Sequence, residues 1–270
     1  MISFPNAKIN IGLYITEKRS DGFHNLETVF FPVGWSDALE IASSENLHFS
    51  ASGIPIDGPA ESNLVMKAYS LLKTDFELPP LRIHLHKQIP FGAGLGGGSA
   101  DGAFMLQMLN KSFNLGITAE KLIDYAAVLG SDCPFFIRNK PVFATGRGEI
   151  MSEIELNLKG LSLVLVKPAV EVATAAAFRN IIPQKPEISL SELIQLPVTE
   201  WKGNIANQFE ISVFKQYPEI EWVKNQLYDQ GAIYASMSGS GSCVFALFIE
   251  LPENIQRLFP SSYLTFSQQI

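Results

Sequence analysis

Six glycines lie within the eleven residues from Gly92 to Gly102, inside the stretch PFGAGLGGGSADGA (Pro90 to Ala103), and FMLQMLN then begins a helical pattern. Fixing a glycine costs more backbone entropy than fixing any other residue, so such a run is kept where chain geometry or a close partner excludes a Cβ. A glycine loop that runs into a helix N-terminus offers outward N–H groups and roughly half a positive charge. That is chemistry for binding phosphate oxygens without many basic side chains. Pro90, Gly92, Ala93, Gly94, Leu95, Gly96, Gly97, Gly98, Ser99 and Ala100 are the candidate phosphate-binding residues, with Ser99 expected to cap the helix.

Other uses of the run fit less well. A Walker A loop needs Lys and then Ser or Thr after its last glycine, and no Lys follows here. Gly92, Gly94 and Gly97 spell the dinucleotide fingerprint G-x-G-x-x-G. That fold also needs a buried strand ending in an acid about 20 residues on, and Lys111 to Glu120 is a polar segment between helices. A hinge or a tight helix–strand crossing would also use glycines, but the position between a strand and a helix favours a phosphate loop.

The elements that must carry this loop are legible in outline. KINIGLYIT, NLETVFFPV and DALEIA read as an opening antiparallel layer, with Ser20-Asp21-Gly22 as a turn. Asn63 to about Asp75 has helical spacing, and Leu81, Ile83 and Leu85 alternate with Arg82, His84 and His86 as in a half-buried strand. Helices are expected from about Ser99 to Asn110, from Thr118 to Leu129 between a Thr cap and Gly130, from Ile205 to Phe214 and from Glu219 to Asp229. An apolar strand spans Leu161 to Lys167, and two strands flank Ser238-Gly239-Ser240-Gly241. The stretch Ile182 to Pro197 reads as too irregular for the core. The mixture lacks a strict βαβ rhythm, so the class is α+β, with a boundary near residue 152 dividing 1–152 from 153–270.

Composition limits the function. With 47% hydrophobic and 17% charged residues in 270, the chain has a globular composition. A net charge of −7 without a Lys/Arg run argues against nucleic acid as partner, although local charge still decides whether an anion can bind. Cys133 and Cys243 form no CxxC or His–Cys cluster and read as buried, reduced thiols suited to a cytoplasmic protein. Asn6, Lys8 and Asn10 interrupt the apolar N-terminus where a signal peptide needs its core, and no stretch reaches a membrane span. His84 and His86 lack a third ligand at usable spacing, so they read as the wet face of a strand rather than a metal site.

PFGAGLGGGSADGA resembles the phosphate loop of the superfamily that holds galactokinase, homoserine kinase, mevalonate kinase and phosphomevalonate kinase. PNAKINIGLYI and SMSGSGSCVFALF stand where that superfamily has its other two motifs. PNAKINIGLYITEKRSDGFHNLETVF, LGSDCPFF (Leu129 to Phe136) and ATGRGE (Ala144 to Glu149) are similar to the 4-diphosphocytidyl-2-C-methyl-D-erythritol kinase family of the non-mevalonate isoprenoid pathway. The resemblance covers nearly the whole chain apart from Ile182 to Trp201.

It implies two domains, an ATP-binding one at 1–152 and a substrate-side one at 153–270, with the active site in the cleft between them. The γ-phosphoryl group of ATP, accompanied by Mg²⁺, would pass to the 2-hydroxyl of the small-molecule substrate. Asp132 would accept or orient the hydroxyl proton with Lys8 beside it, a coherent pair because an ammonium keeps a carboxylate ionised. Ser99 would bond a phosphate oxygen or the Mg²⁺ that travels with ATP, or cap the helix, and Lys87 and Asn63 align with positions around the nucleotide. Phe23, His24 and Phe178 would grip the cytosine, with Asn10 nearby. Gly239 belongs to the third motif, which supports the substrate. Read alone, Asp132 could equally cap a helix, Lys8 and Lys87 could be solvated, and the two phenylalanines could be core. Members of the family more often carry Tyr where Phe23 stands.

Overall fold

The computed structural model describes residues 1–179 and 181–270. The first part of the chain forms strands β1 (Ile2–Ser3), β2 (Asn6–Lys18), β3 (His24–Ser36), β4 (Ala38–Ser43) and β5 (His48–Gly53). Helix α1 (Leu64–Asp75), strand β6 (Leu81–Lys87) and helices α2 (Gly97–Ser112), α3 (Ala119–Leu129) and α4 (Cys133–Arg138) follow. Strands β7 (Val142–Thr145), β8 (Ile150–Glu153) and β9 (Ser162–Lys167) lead to helices α5 (Thr174–Phe178), α6 (Leu190–Leu193), α7 (Glu210–Gln216) and α8 (Pro218–Asp229). The chain closes with β10 (Tyr234–Met237), β11 (Val244–Phe248) and β12 (Leu264–Gln269). The α+β class follows from the three four-stranded sheets found among the described residues, with segregated helices.

Two compact units are present, and they interleave along the chain. One comprises Met1–Lys8, Pro32–Pro90 and Gly96–Lys140, the other Ile9–Phe31, Phe91–Leu95 and Pro141–Ile270. A single cut at residue 152 therefore does not describe the packing. The 13-residue strands β2 and β3 each carry residues of both units, a length that a local reading of turn signals does not reveal.

In the first unit the sheet order is β1-β4-β6-β5, with β4 antiparallel and β5 parallel to β6. The alternation of Leu81, Ile83 and Leu85 buries one face of β6, and α1, α2 and α4 pack through Val65, Leu72, Leu106, Leu109, Phe135 and Phe136. Each such buried side chain contributes roughly 1.5–3 kcal/mol relative to exposure. Asn63 caps α1, its side chain accepting from the Val65 N–H at 2.9 Å, and Thr118 caps α3 by accepting from Lys121 N–H at 3.3 Å.

In the second unit one sheet is β2-β3-β7-β8, and the other, β10-β11-β9-β12, is antiparallel throughout. Leu13, Val164, Val166, Phe209, Val223, Met237 and Phe248 belong to its core. Two expectations are corrected here. The helix expected from Ile205 begins only at Glu210, because Leu13 bridges to Asn207 and its N–H donates to Ala206. Part of Ile182 to Pro197 is core after all. Leu190, Leu193 and Ile194 are buried, and Ser189 caps α6. A single helical turn has too short a period to stand out between prolines.

Among the described residues no helix is long and apolar enough to cross a membrane. Both cysteines are free and buried.

Candidate active site

The glycine run is a turn anchored by its carbonyls. The Gly92 and Ala93 carbonyls accept from the Ser242 and Cys243 N–H groups at 3.1 and 3.2 Å, and the Gly94 carbonyl accepts from the Ser238 hydroxyl at 2.8 Å. Gly94 has φ +72°, and a Cβ there would collide with the Ser238 carbonyl oxygen, so no other residue fits. This is the close approach that the glycine density announced, with the 238–243 segment as the partner.

Gly96, at φ +70°, is the N-cap of α2, and its carbonyl accepts the first helical bond from Ala100 N–H at 2.9 Å. The N–H groups of Gly97, Gly98 and Ser99 precede that bond and have no acceptor within the helix. The expectation that Ser99 caps the helix is corrected. The helix begins two residues earlier, and Ser99 lies inside its first turn with its side chain hydrogen-bonded to the Cys133 thiol. Burial pushes that thiol up to about 11, so Cys133 is a neutral partner there.

Lys8 and Asp132 meet as the resemblance implies. Lys8 Nζ lies 3.7 Å from Asp132 Oδ2, the lysine side chain 5% exposed and the aspartate side chain 37%. Burial lowers the Lys8 pKa, and the Asp132 carboxylate opposes that shift. A Cβ on Gly96 would fall 3.2 Å from Lys8 Cε, which sets this pair beside the start of α2. Asp132 stands at the N-cap of α4 but makes no capping bond with its side chain, so the capping alternative is not used.

Lys87 is not the solvated strand end that its sequence position allowed. Its ammonium is buried between two carboxyl groups, paired with Asp37 and, at 2.8 Å, with Asp101. Asn63 spends its oxygen on the α1 cap and also lines a cavity of about 310 Å³ with Ile54, Pro55, Ile56, Gly58 and Ala60.

The second unit gathers the remaining candidates. Asn10 is buried in β2, donating from its side chain to Thr28 at 2.9 Å and from its backbone to the Ser238 hydroxyl at 3.1 Å. Gly239 has φ +56°, and its carbonyl accepts from the Asn207 side chain at 2.8 Å. The rings of His24 and Phe178 stack at 5.0 Å and 22°, and Phe178 meets Phe209 edge-on at 4.7 Å. Phe23 is exposed with the Arg147 guanidinium 5.0 Å over its ring, so the expected triplet stands as one stacked pair and one cation–π pair. His84 and His86 bond to Ser50 and Ser52 at 2.9 Å.

Sequence reasoning missed Asp37, Asp101, Arg147 and Asn207. Asp101 had a signal, a lone acid among the small and apolar residues opening α2, a place where charge needs a partner. The others are single polar residues whose partners are distant in sequence.

Residues 63–140 match the family described as GHMP kinases N terminal domain, and 191–261 the family described as GHMP kinases C terminal. A 4-diphosphocytidyl-2-C-methyl-D-erythritol kinase of Bacteroides fragilis is 60% identical over 252 residues, 92% of each chain. One of Parabacteroides distasonis is 54% identical over 266 residues, 98% of each. The crystal structure of a 4-(cytidine 5'-diphospho)-2C-methyl-D-erythritol kinase shares the fold with a TM-score of 0.82 at 30% identity, covering 99% of this chain and 98% of that one. With that similarity running the length of the chain, this chain belongs to the GHMP kinases and, among them, to the 4-diphosphocytidyl-2-C-methyl-D-erythritol kinase family.

Proposed function

We propose that this protein transfers the γ-phosphoryl group of ATP to the 2-hydroxyl of 4-diphosphocytidyl-2-C-methyl-D-erythritol, a step of non-mevalonate isoprenoid synthesis. The observation that carries the reading is the Lys8–Asp132 pair at 3.7 Å beside the opening turn of α2. Phosphoryl transfer asks a protein for positioning and for cancelling charge on the transferring group. The N–H groups of Gly97, Gly98 and Ser99 suit phosphate oxygens, and Lys8 supplies positive charge.

Asp132, the more exposed of the pair, takes the hydroxyl proton or holds it in line as the new oxygen–phosphorus bond forms. The bond from the γ-phosphorus to its bridging oxygen breaks, and ADP leaves. The pyrimidine is received at Phe23, His24 and Phe178, where stacking is worth about 1–3 kcal/mol per base and the imidazole can hydrogen-bond the ring edge. Asn10 and Gly239 support the substrate.

Among the described residues no group of three or more His, Cys, Asp or Glu could hold a metal. Mg²⁺ would accompany the phosphates of ATP and offset their charge, with the Ser99 hydroxyl in the first turn of α2 as the side chain that would bond it or a phosphate oxygen. Buried free thiols suit a reducing cytoplasm.

The test is a coupled assay of ADP release with the cytidine substrate, mevalonate, homoserine and galactose as separate acceptors. Turnover with the first is expected, and turnover with another alone would remove the substrate assignment. Asp132→Asn is expected to lower kcat by about 10²–10⁴ with little change in the KM for ATP. An unchanged kcat would show that Asp132 is not the catalytic group.

A further inference from the structure

Three ionisable groups of the first unit are sealed together where the glycine stretch begins and ends. Lys87 closes β6, Asp37 lies between β3 and β4, and Asp101 lies in α2, with exposures of 1%, 1% and 2%. Asp37 Oδ1 accepts from the Gln88 and Ile89 N–H groups at 2.6 and 2.8 Å, and its other oxygen faces the Lys87 ammonium. Lys87 also donates to Asp101 Oδ2 at 2.8 Å, while Asp101 Oδ1 is buried with no hydrogen-bond partner among the described residues. A Cβ on Gly97 would fall 3.0 Å from Lys87 Nζ and 2.8 Å from Ile89, so the helix start rests on this cluster.

Two carboxylates and one ammonium cannot all be charged without leaving a net negative charge in the interior, which is costly there. The bonds say which acid gives way. Asp37 receives two amides and an ammonium, whereas Asp101 receives one donor on one oxygen and none on the other, and the acid with fewer donors is the one that keeps a proton.

We propose that Asp101 is a positioning residue kept as a neutral carboxylic acid. Its proton leaves the Asp37–Lys87–Asp101 cluster uncharged at the start of α2, and loss of that proton weakens binding of ATP phosphates. The coupling rests on the reading that this helix start holds ATP. Burial pushes the Asp101 carboxyl up to about 8. Lys87 pulls against that shift, and Asp37 adds to it. These two are the charged groups acting on Asp101. The neighbouring helices α1 and α4 bury the titratable Tyr69 and Cys133 beside Val65, Met66, Phe135 and Phe136, and α3 buries Leu122 and Ala126; burial pushes the Cys133 thiol up to about 11, so it carries no charge there at pH 8.

The test uses the full chain and its Asp101→Asn variant between pH 5.5 and 10. Infrared spectra are expected to show a protonated carboxyl band in the parent that is absent from the variant and fades as pH passes about 8. A carbon-13 NMR titration of the aspartate carboxyls in the parent answers the same question without a variant. The KM for ATP is expected to rise roughly tenfold over that interval in the parent and to stay level in the variant, the scale of one added charge acting over ~10 Å of protein. The KM for the acceptor should not follow. A parent with every aspartate ionised at pH 6 overturns the assignment, whether or not the protein uses ATP. A band that titrates while the KM for ATP stays level overturns the coupling. A protein that binds no ATP overturns the coupling together with the kinase reading, and the persisting band tells that failure from the first.

Discussion

Gly98→Ala separates what the fold needs from what a ligand needs. Gly98 is the second residue of α2, its φ is not positive, and an added Cβ would meet nothing within 4 Å. For the free protein the change should therefore be neutral or favourable. Alanine exceeds glycine by roughly 0.5–1 kcal/mol in a helix, a rise of about 1–3 °C in Tm for a chain of this size. If phosphate oxygens come within hydrogen-bonding distance of the Gly98 N–H, the same methyl stands in their path. Losing one N–H bond to a charged oxygen is worth about 1.5–3 kcal/mol, and at about 1.4 kcal/mol per factor of ten the KM for ATP should rise roughly 10- to 150-fold. The measurement pairs differential scanning calorimetry without nucleotide against steady-state kinetics with ATP varied. A variant that keeps its Tm and its KM for ATP would show that no phosphate approaches this residue, and the phosphate loop would have to be placed elsewhere. A variant that loses Tm would contradict the open space seen beside Gly98.

Phe178→Ala should raise the KM for the cytidine substrate about 5- to 150-fold, the range of one lost stacking contact, and should move the KM for ATP far less. Equal changes in both would argue for a different acceptor. Gly94→Ala should behave oppositely to Gly98→Ala, lowering stability by about 1–3 kcal/mol in urea melts, because φ is +72° and the Ser238 carbonyl fills the space. Asp101→Asn tests the pH dependence of stability. A carboxyl held near 8 when folded, against 3.8 for its ordinary value, means that the folded chain binds the extra proton between those limits. That contribution is complete below about pH 4 and is lost as pH rises towards 8. The stability of the variant relative to the parent should therefore climb between pH 5 and pH 8, and a flat difference would show that Asp101 is ionised throughout.

What could be read from the chain by itself is the part governed by neighbours in sequence. Asn63 and Thr118 cap helices because a short polar side chain reaches its own backbone, and Leu81, Ile83 and Leu85 face one way because a strand repeats every two residues. The glycine density announced a close approach of the backbone for the same local reason, since removing a Cβ is visible in the letters. Tertiary structure alone decided which distant groups meet. Lys87 looks like any lysine ending a strand until Asp37 and Asp101 arrive from other elements and bond to its ammonium. His24 and Phe178 become a stacked pair only when α5 packs near the start of β3. Ser99 loses its capping role because the left-handed backbone at Gly96 starts the helix early. Charge, burial and pKa depend on all neighbours within a few ångströms, and most of those neighbours are brought there by folding rather than by the order of residues.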